Sequence, residues 1–178
     1  MSQRSHVRGD DSGAGLSRSA NDPEFDLDHF VRRHVRFGLW VLLISLTLGI
    51  VLETFHGLKL QWYLADKNET RHLVWRLAHA HGTLLGMVLI VFALTARHVP
   101  TRRLSVLRRF ASPCLLASSL LLPGGFFLGG LWFFAGDPGL GVFLVPPGAA
   151  LLLLGVAATA ISLRREKAAD EPPRHSRH

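Results

Sequence analysis

Four ionisable side chains, Glu53, His56, His79 and His81, lie within or at the rim of long apolar stretches. Each poses a chemical question, because a charge or an imidazole in hydrocarbon is costly. Glu53 and His56 are three residues apart and share a helix face. His79 and His81 follow the next polar loop, on a segment running in the opposite direction, so all four are expected in one layer near the outer surface. Imidazole nitrogen with a carboxylate suits zinc or copper. Two helical residues turn the side-chain direction by about 200°, so His79 and His81 are expected to face apart, as two separate ligand positions rather than a joint one. His72 shares their helix only if that helix begins early, in the loop.

Other chemistry is excluded more readily. The single cysteine, Cys114, has no disulfide partner, and there is no Cys-x-x-Cys-His or His-Glu-x-x-His pattern. No nucleophile has a base beside it and no loop is built to cradle phosphate; Ser45, Ser118, Ser119 and Ser162 are expected to bond back to helix carbonyls. No catalytic residue is therefore identified, and an enzymatic activity would outrun what these residues support.

The elements that must position these groups are apolar helices. A hydrocarbon core of about 30 Å needs roughly 20 apolar residues, because unpaired peptide groups are not tolerated there. Four stretches qualify, at about 37–58, 77–96, 110–135 and 139–163, the last two joined by a tight turn at Gly136-Asp137-Pro138-Gly139. The expected fold is all-α, a four-helix transmembrane bundle over residues 32–163. Residues 1–31 read as a disordered polar arm and 164–178 as a basic cytoplasmic tail, whose closing Pro172-Pro173-Arg174-His175-Ser176-Arg177-His178 is read as solvated. The loop from Lys59 to Arg76 has room for a short interfacial helix, with Trp62, Tyr63 and Trp75 as an aromatic belt. Gly125 and Gly129 form a small-residue packing pair, and Pro123 and Pro146 are expected to kink or break their helices.

Thirteen Lys and Arg flank one side of the spans and four the other, with both termini on the richer side. The positive-inside rule places the termini in the cytoplasm of an inner, multi-pass membrane protein. A formal charge of +7 would suggest nucleic acid in another setting. Here the basic residues flank apolar runs, so the expected partners are membrane lipids, a second copy of the chain or a larger membrane complex, and no nucleic acid.

The segment Ala78-His79-Ala80-His81-Gly82-Thr83-Leu84-Leu85-Gly86 resembles the H-x-H-x-x-x-x-G segment of the haem-copper oxidase superfamily, especially the catalytic subunits of bacterial nitric oxide reductases and cbb3-type oxidases. In that family the two histidines ligate different haems from opposite sides of one helix, near the outer face. The resemblance implies His79 and His81 as haem-iron ligands. With no further histidine read into the other spans, His56 is the expected opposing ligand. The resemblance covers nine of 178 residues, and the family's further spans and copper-binding histidines have no counterpart here.

Three classes of function stand open on the sequence. The chain reads as an accessory or assembly membrane protein in which Glu53 and the histidines only make structural contacts. It reads alternatively as a redox or sensor protein holding haem b through His56, His79 or His81, or a copper or zinc ion through those residues and Glu53. It reads thirdly as a small proton-coupled transporter using the same residues as a relay.

Overall fold

A computed structural model of the chain describes residues 23–64, 69–99, 101–131 and 137–169. The elements run α1 (Pro23–Gly57), α2 (Gln61–Leu64), α3 (Glu69–Ala96), α4 (Thr101–Val106), a π-helical turn (Leu107–Ala111), α5 (Ser112–Leu131), a 3-10 turn (Leu140–Leu144) and α6 (Val145–Ala169). Four helical stretches, Asp26–Gly57, Glu69–Ala96, Leu104–Leu131 and Leu140–Leu163, are long and apolar enough to cross a membrane. Residues 1–22 and 170–178 of the expected tails, with Lys67 and Gly136, lie outside the described residues.

The spans end close to where the apolar runs end, but two of them begin well before. Helix α1 starts at Pro23 rather than near Phe37, so residues 23–31 of the expected disordered arm are helical, and α3 starts at Glu69 rather than Leu77. Arg32, Arg33, Arg36, Arg71 and Arg76 are good helix formers. They limit how deep a helix lies in hydrocarbon, not where its backbone begins to coil. At the other end α6 continues to Ala169.

The order of packing is α1 on α3, α3 on α5 and α5 on α6, and no extended contact joins α1 to α6 among the described residues. The expected bundle is thus an open row of four antiparallel spans. Lipid competes equally well for apolar side chains, so close approach at small residues, rather than expulsion from water, decides which helices touch. The α1–α3 seam shows this. Buried Val31, His34, Gly38, Val41 and Ser45 recur at alternating steps of three and four, facing Ala78, Gly82, Leu85, Gly86 and Leu89. A Cβ on Gly38 would lie 2.9 Å from the Gly86 carbonyl oxygen, and one on Gly82 would strike the Ser45 hydroxyl. The outer faces of the end helices carry exposed large apolar residues, with Ile50 68% and Leu153 71% exposed. Such exposure suits lipid rather than water.

Gly125 and Gly129 do pack closely, and their partner is the 3-10 turn: Gly125 abuts Gly141 and Leu144, while the Gly139 N–H bonds the Gly129 carbonyl at 2.8 Å. Helix α5 runs unbroken through Pro123. Pro146 neither kinks nor splits α6; it stands in the first turn, where a missing N–H leaves no intrahelical bond unmade.

Residues 58–64, after α1, are held by their own backbone groups. The Leu60 N–H bonds the Phe55 carbonyl at 3.2 Å, and Lys59 adopts φ 49°, closing the helix in a Schellman-like turn usually given to glycine. Lys59→Gly is therefore expected to raise stability by about 0.5–1 kcal/mol, read as a higher midpoint in detergent unfolding. The interfacial helix expected in this loop is α2, bearing Trp62 and Tyr63; Trp75 belongs to α3, where it donates to the Phe127 carbonyl at 3.1 Å.

Candidate functional site

His79 reaches across the seam to α1. Its Nδ1–H donates to the Ser45 carbonyl at 2.7 Å, and the ring abuts Gly49, so that a Cβ there would sit 2.6 Å from Nδ1. A carbonyl can only accept, which places a proton on Nδ1 and leaves Nε2 as the ring nitrogen open to another partner. His81 faces the other way, bonding the Leu77 carbonyl of its own helix at 2.9 Å, with its ring centroid 5.0 Å from that of Phe126 on α5. The two imidazoles diverge as helical geometry demands.

Glu53 and His56 do not join them. Both are exposed at the end of α1. His79 is level with Ser45 and Gly49, so His56, eleven and seven residues further on, stands about 10 to 16 Å along the helix axis. The expected single layer of four side chains is corrected accordingly. The cause is the early start of α3: His79 is ten residues into that helix, not two, and lies correspondingly deeper. One haem iron placed between His56 and either α3 histidine of the same chain does not fit this spacing. Among the described residues no three His, Cys, Asp or Glu side chains converge on a point that would hold a metal ion. Cys114 is a half-buried free thiol.

Two histidines outside the expected set are bound into the fold. His34, which the sequence reading did not single out, lies inside the first span and is fully buried. Its Nδ1–H donates to the Phe30 carbonyl at 2.9 Å, and its Nε2 accepts from the Ser112 hydroxyl at 2.8 Å. The rings of Phe30 and Phe92 enclose it, with centroids 4.2 and 5.5 Å away. This imidazole therefore ties α1 to the start of α5 behind α3. The π-helical turn just ahead carries Arg108, which grips Asp26 of α1 through both terminal nitrogens. The signal for His34 was present in the sequence, in the three-and-four spacing that passes straight through the arginines. His72 lies on α3 because that helix does begin early, and its Nε2–H caps the Tyr63 carbonyl.

Between these ends α1 and α5 part, leaving a groove of about 490 Å³ floored by Ala78 and walled by Ile44, Leu48, Pro123 and Phe127. Of the hydroxyls along it, Thr47 donates to the Leu43 carbonyl and Ser119 to the Leu116 carbonyl, both at 2.8 Å. Ser118 and Ser162 bond back in the same manner, as their positions in apolar helices led one to expect. Among the described residues no buried side-chain nitrogen or oxygen lacks a partner.

Tyr63, outside the spans, is 1% exposed, and burial raises its hydroxyl above the ordinary value of 10.0; Arg76 opposes the shift and Glu53 adds to it. A proton held more tightly in the folded state stabilises the loop fully below pH 10.0, and that contribution is lost as pH rises through the higher folded value. Tyr63 is the only tyrosine. An alkaline titration of phenolate absorbance should thus show a single midpoint above that of free tyrosine, falling back to it on denaturation.

No protein-family model matches this chain, and no curated protein or solved structure shows significant similarity to it.

Proposed function

We propose that the chain is a small accessory or assembly protein of the inner membrane, with both termini in the cytoplasm. The observation that carries this reading is that, among the described residues, no buried side-chain nitrogen or oxygen lacks a partner within the chain. His34, His79 and His81 each give a ring N–H to a backbone carbonyl of the chain itself, and the hydroxyls of Thr47, Ser118, Ser119 and Ser162 close on their own helices. Such residues specify helix positions rather than transform a substrate. The open row supports it further, since the apolar outer faces of α1 and α6 are free for neighbouring spans. The thirteen-to-four distribution of Lys and Arg supports the orientation. Native electrophoresis of mildly solubilised membranes should find the protein in a discrete assembly larger than one chain, with photo-crosslinkers at Leu153 or Ile50 linking it to another protein. A monomer crosslinking only to lipid would overturn the proposal.

A second reading, haem binding, is favoured by one observation. With Nδ1 committed to a carbonyl, His79 and His81 keep Nε2 as the ligand atom, an arrangement common for metal-bound imidazole. The opposing ligand must then come from a second chain. An absorbance spectrum of the purified protein, oxidised and reduced, decides it: a Soret band lost in His79→Ala or His81→Ala supports haem, and a colourless sample excludes it.

A further inference from the structure

At the end of the row where α1 begins, His29, Arg32, Arg33 and Arg36 follow one another at steps of three, one and three, the spacing of a single helix face. Arg97, at the end of α3, stands beside them. Together they rim a recess of about 990 Å³ whose wall continues down the helices as Leu39, Trp40, Leu43 and Leu94. Trp40 is 55% exposed and Leu43 54%, so this wall is open sideways, to whatever surrounds the helices.

The charges at the rim are largely unanswered. Arg97 meets Asp28 at 3.4 Å, in a pair half open to solvent. Arg32, Arg33 and Arg36 have no carboxylate partner among the described residues. By contrast Arg108, one face away, is fully engaged by Asp26. The recess thus presents a surplus of guanidinium groups at the level where the spans leave hydrocarbon, with an apolar, tryptophan-bearing wall directly beneath.

We propose that this recess binds an anionic phospholipid, its phosphate held by Arg32, Arg33 and Arg36 and its acyl chains lying along Trp40, Leu43 and Leu94. Charge complementarity requires an anion, and guanidinium pairs with phosphate in a two-pronged fashion. The apolar wall selects an anion that carries hydrocarbon, which free phosphate does not. Three unpaired arginines exceed the charge of one phosphodiester, so a lipid with two linked phosphatidyl groups should bind more tightly than one with a single group. The site does not depend on whether the chain joins a larger complex.

The test uses the full-length protein purified in a neutral detergent, so that orientation in the membrane plays no part. Phosphatidylcholine, phosphatidylglycerol and cardiolipin are added separately, and retained lipid is read by native mass spectrometry. The expected order is cardiolipin, then phosphatidylglycerol, with phosphatidylcholine retained least. The double variant Arg33→Gln with Arg36→Gln should weaken cardiolipin retention roughly tenfold or more, while Lys59→Gln with Arg76→Gln, equal in charge removed but at the opposite end, should leave it unchanged. Equal retention of all three lipids, equal losses in both double variants, or displacement of cardiolipin by inorganic phosphate at constant ionic strength would each overturn the proposal. Thermal unfolding without lipid, expected to be the same for both double variants, separates lost binding from lost fold.

Discussion

Gly86→Leu is expected to force α1 away from α3 and to destabilise the protein by at least about 3 kcal/mol in detergent unfolding. A Cβ at this position already lies 2.7 Å from Leu42 and 3.0 Å from the Gly38 carbonyl oxygen, and the second neighbour is backbone that no rotamer change can clear. Leucine adds three more carbons to that contact. Gly86→Ala should cost less, because only the first atom must be accommodated. Gly124→Leu supplies the control: a Cβ there meets nothing within 4 Å, and α5 is helical at that point, so the same chemical change should be nearly neutral. If Gly86→Leu and Gly124→Leu unfold alike, the seam does not determine how these helices associate.

His34→Ala should be comparably damaging, by about 3 kcal/mol, for a different reason. The substitution empties the space between Phe30 and Phe92 and leaves the Ser112 hydroxyl facing it without its acceptor. Ser112→Ala alone should cost about 1 kcal/mol or somewhat more. The two effects should not add, since either change already breaks the one bond they share; a double variant as unstable as the sum of the singles would refute that link. Asp26→Asn, which weakens a solvent-exposed ion pair on the same flank, is expected to cost well under either.

The number of spans was legible from hydropathy alone, because four separate apolar stretches, each long enough to cross a bilayer as a helix, stand out from the rest of the chain. Their C-terminal ends were legible too, at Gly57 and Ala96, where glycine or the loss of apolar residues ends the coil. Their beginnings were not. Arginine ends a hydropathy window but continues a helix, and from that one confusion came both the misplaced depth of His79 and the omission of His34 from the candidate residues. The divergence of His79 and His81 followed from helix geometry and holds whatever their depth. The pairing of Arg108 with Asp26 was out of reach, because it depends on the π-helical turn at Leu107–Ala111 and on residues 82 apart in the chain.

The sequential order of the row has a consequence for biosynthesis. Each span leaving the ribosome finds its main neighbour, the span made just before it, already resident in the bilayer, so assembly can keep pace with translation and no segment must wait for a distant partner. The exception is the first helix, whose imidazole at position 34 stays without its hydroxyl until the third is threaded, and that interval is when a quality-control protease or an insertion chaperone would meet the nascent protein half made.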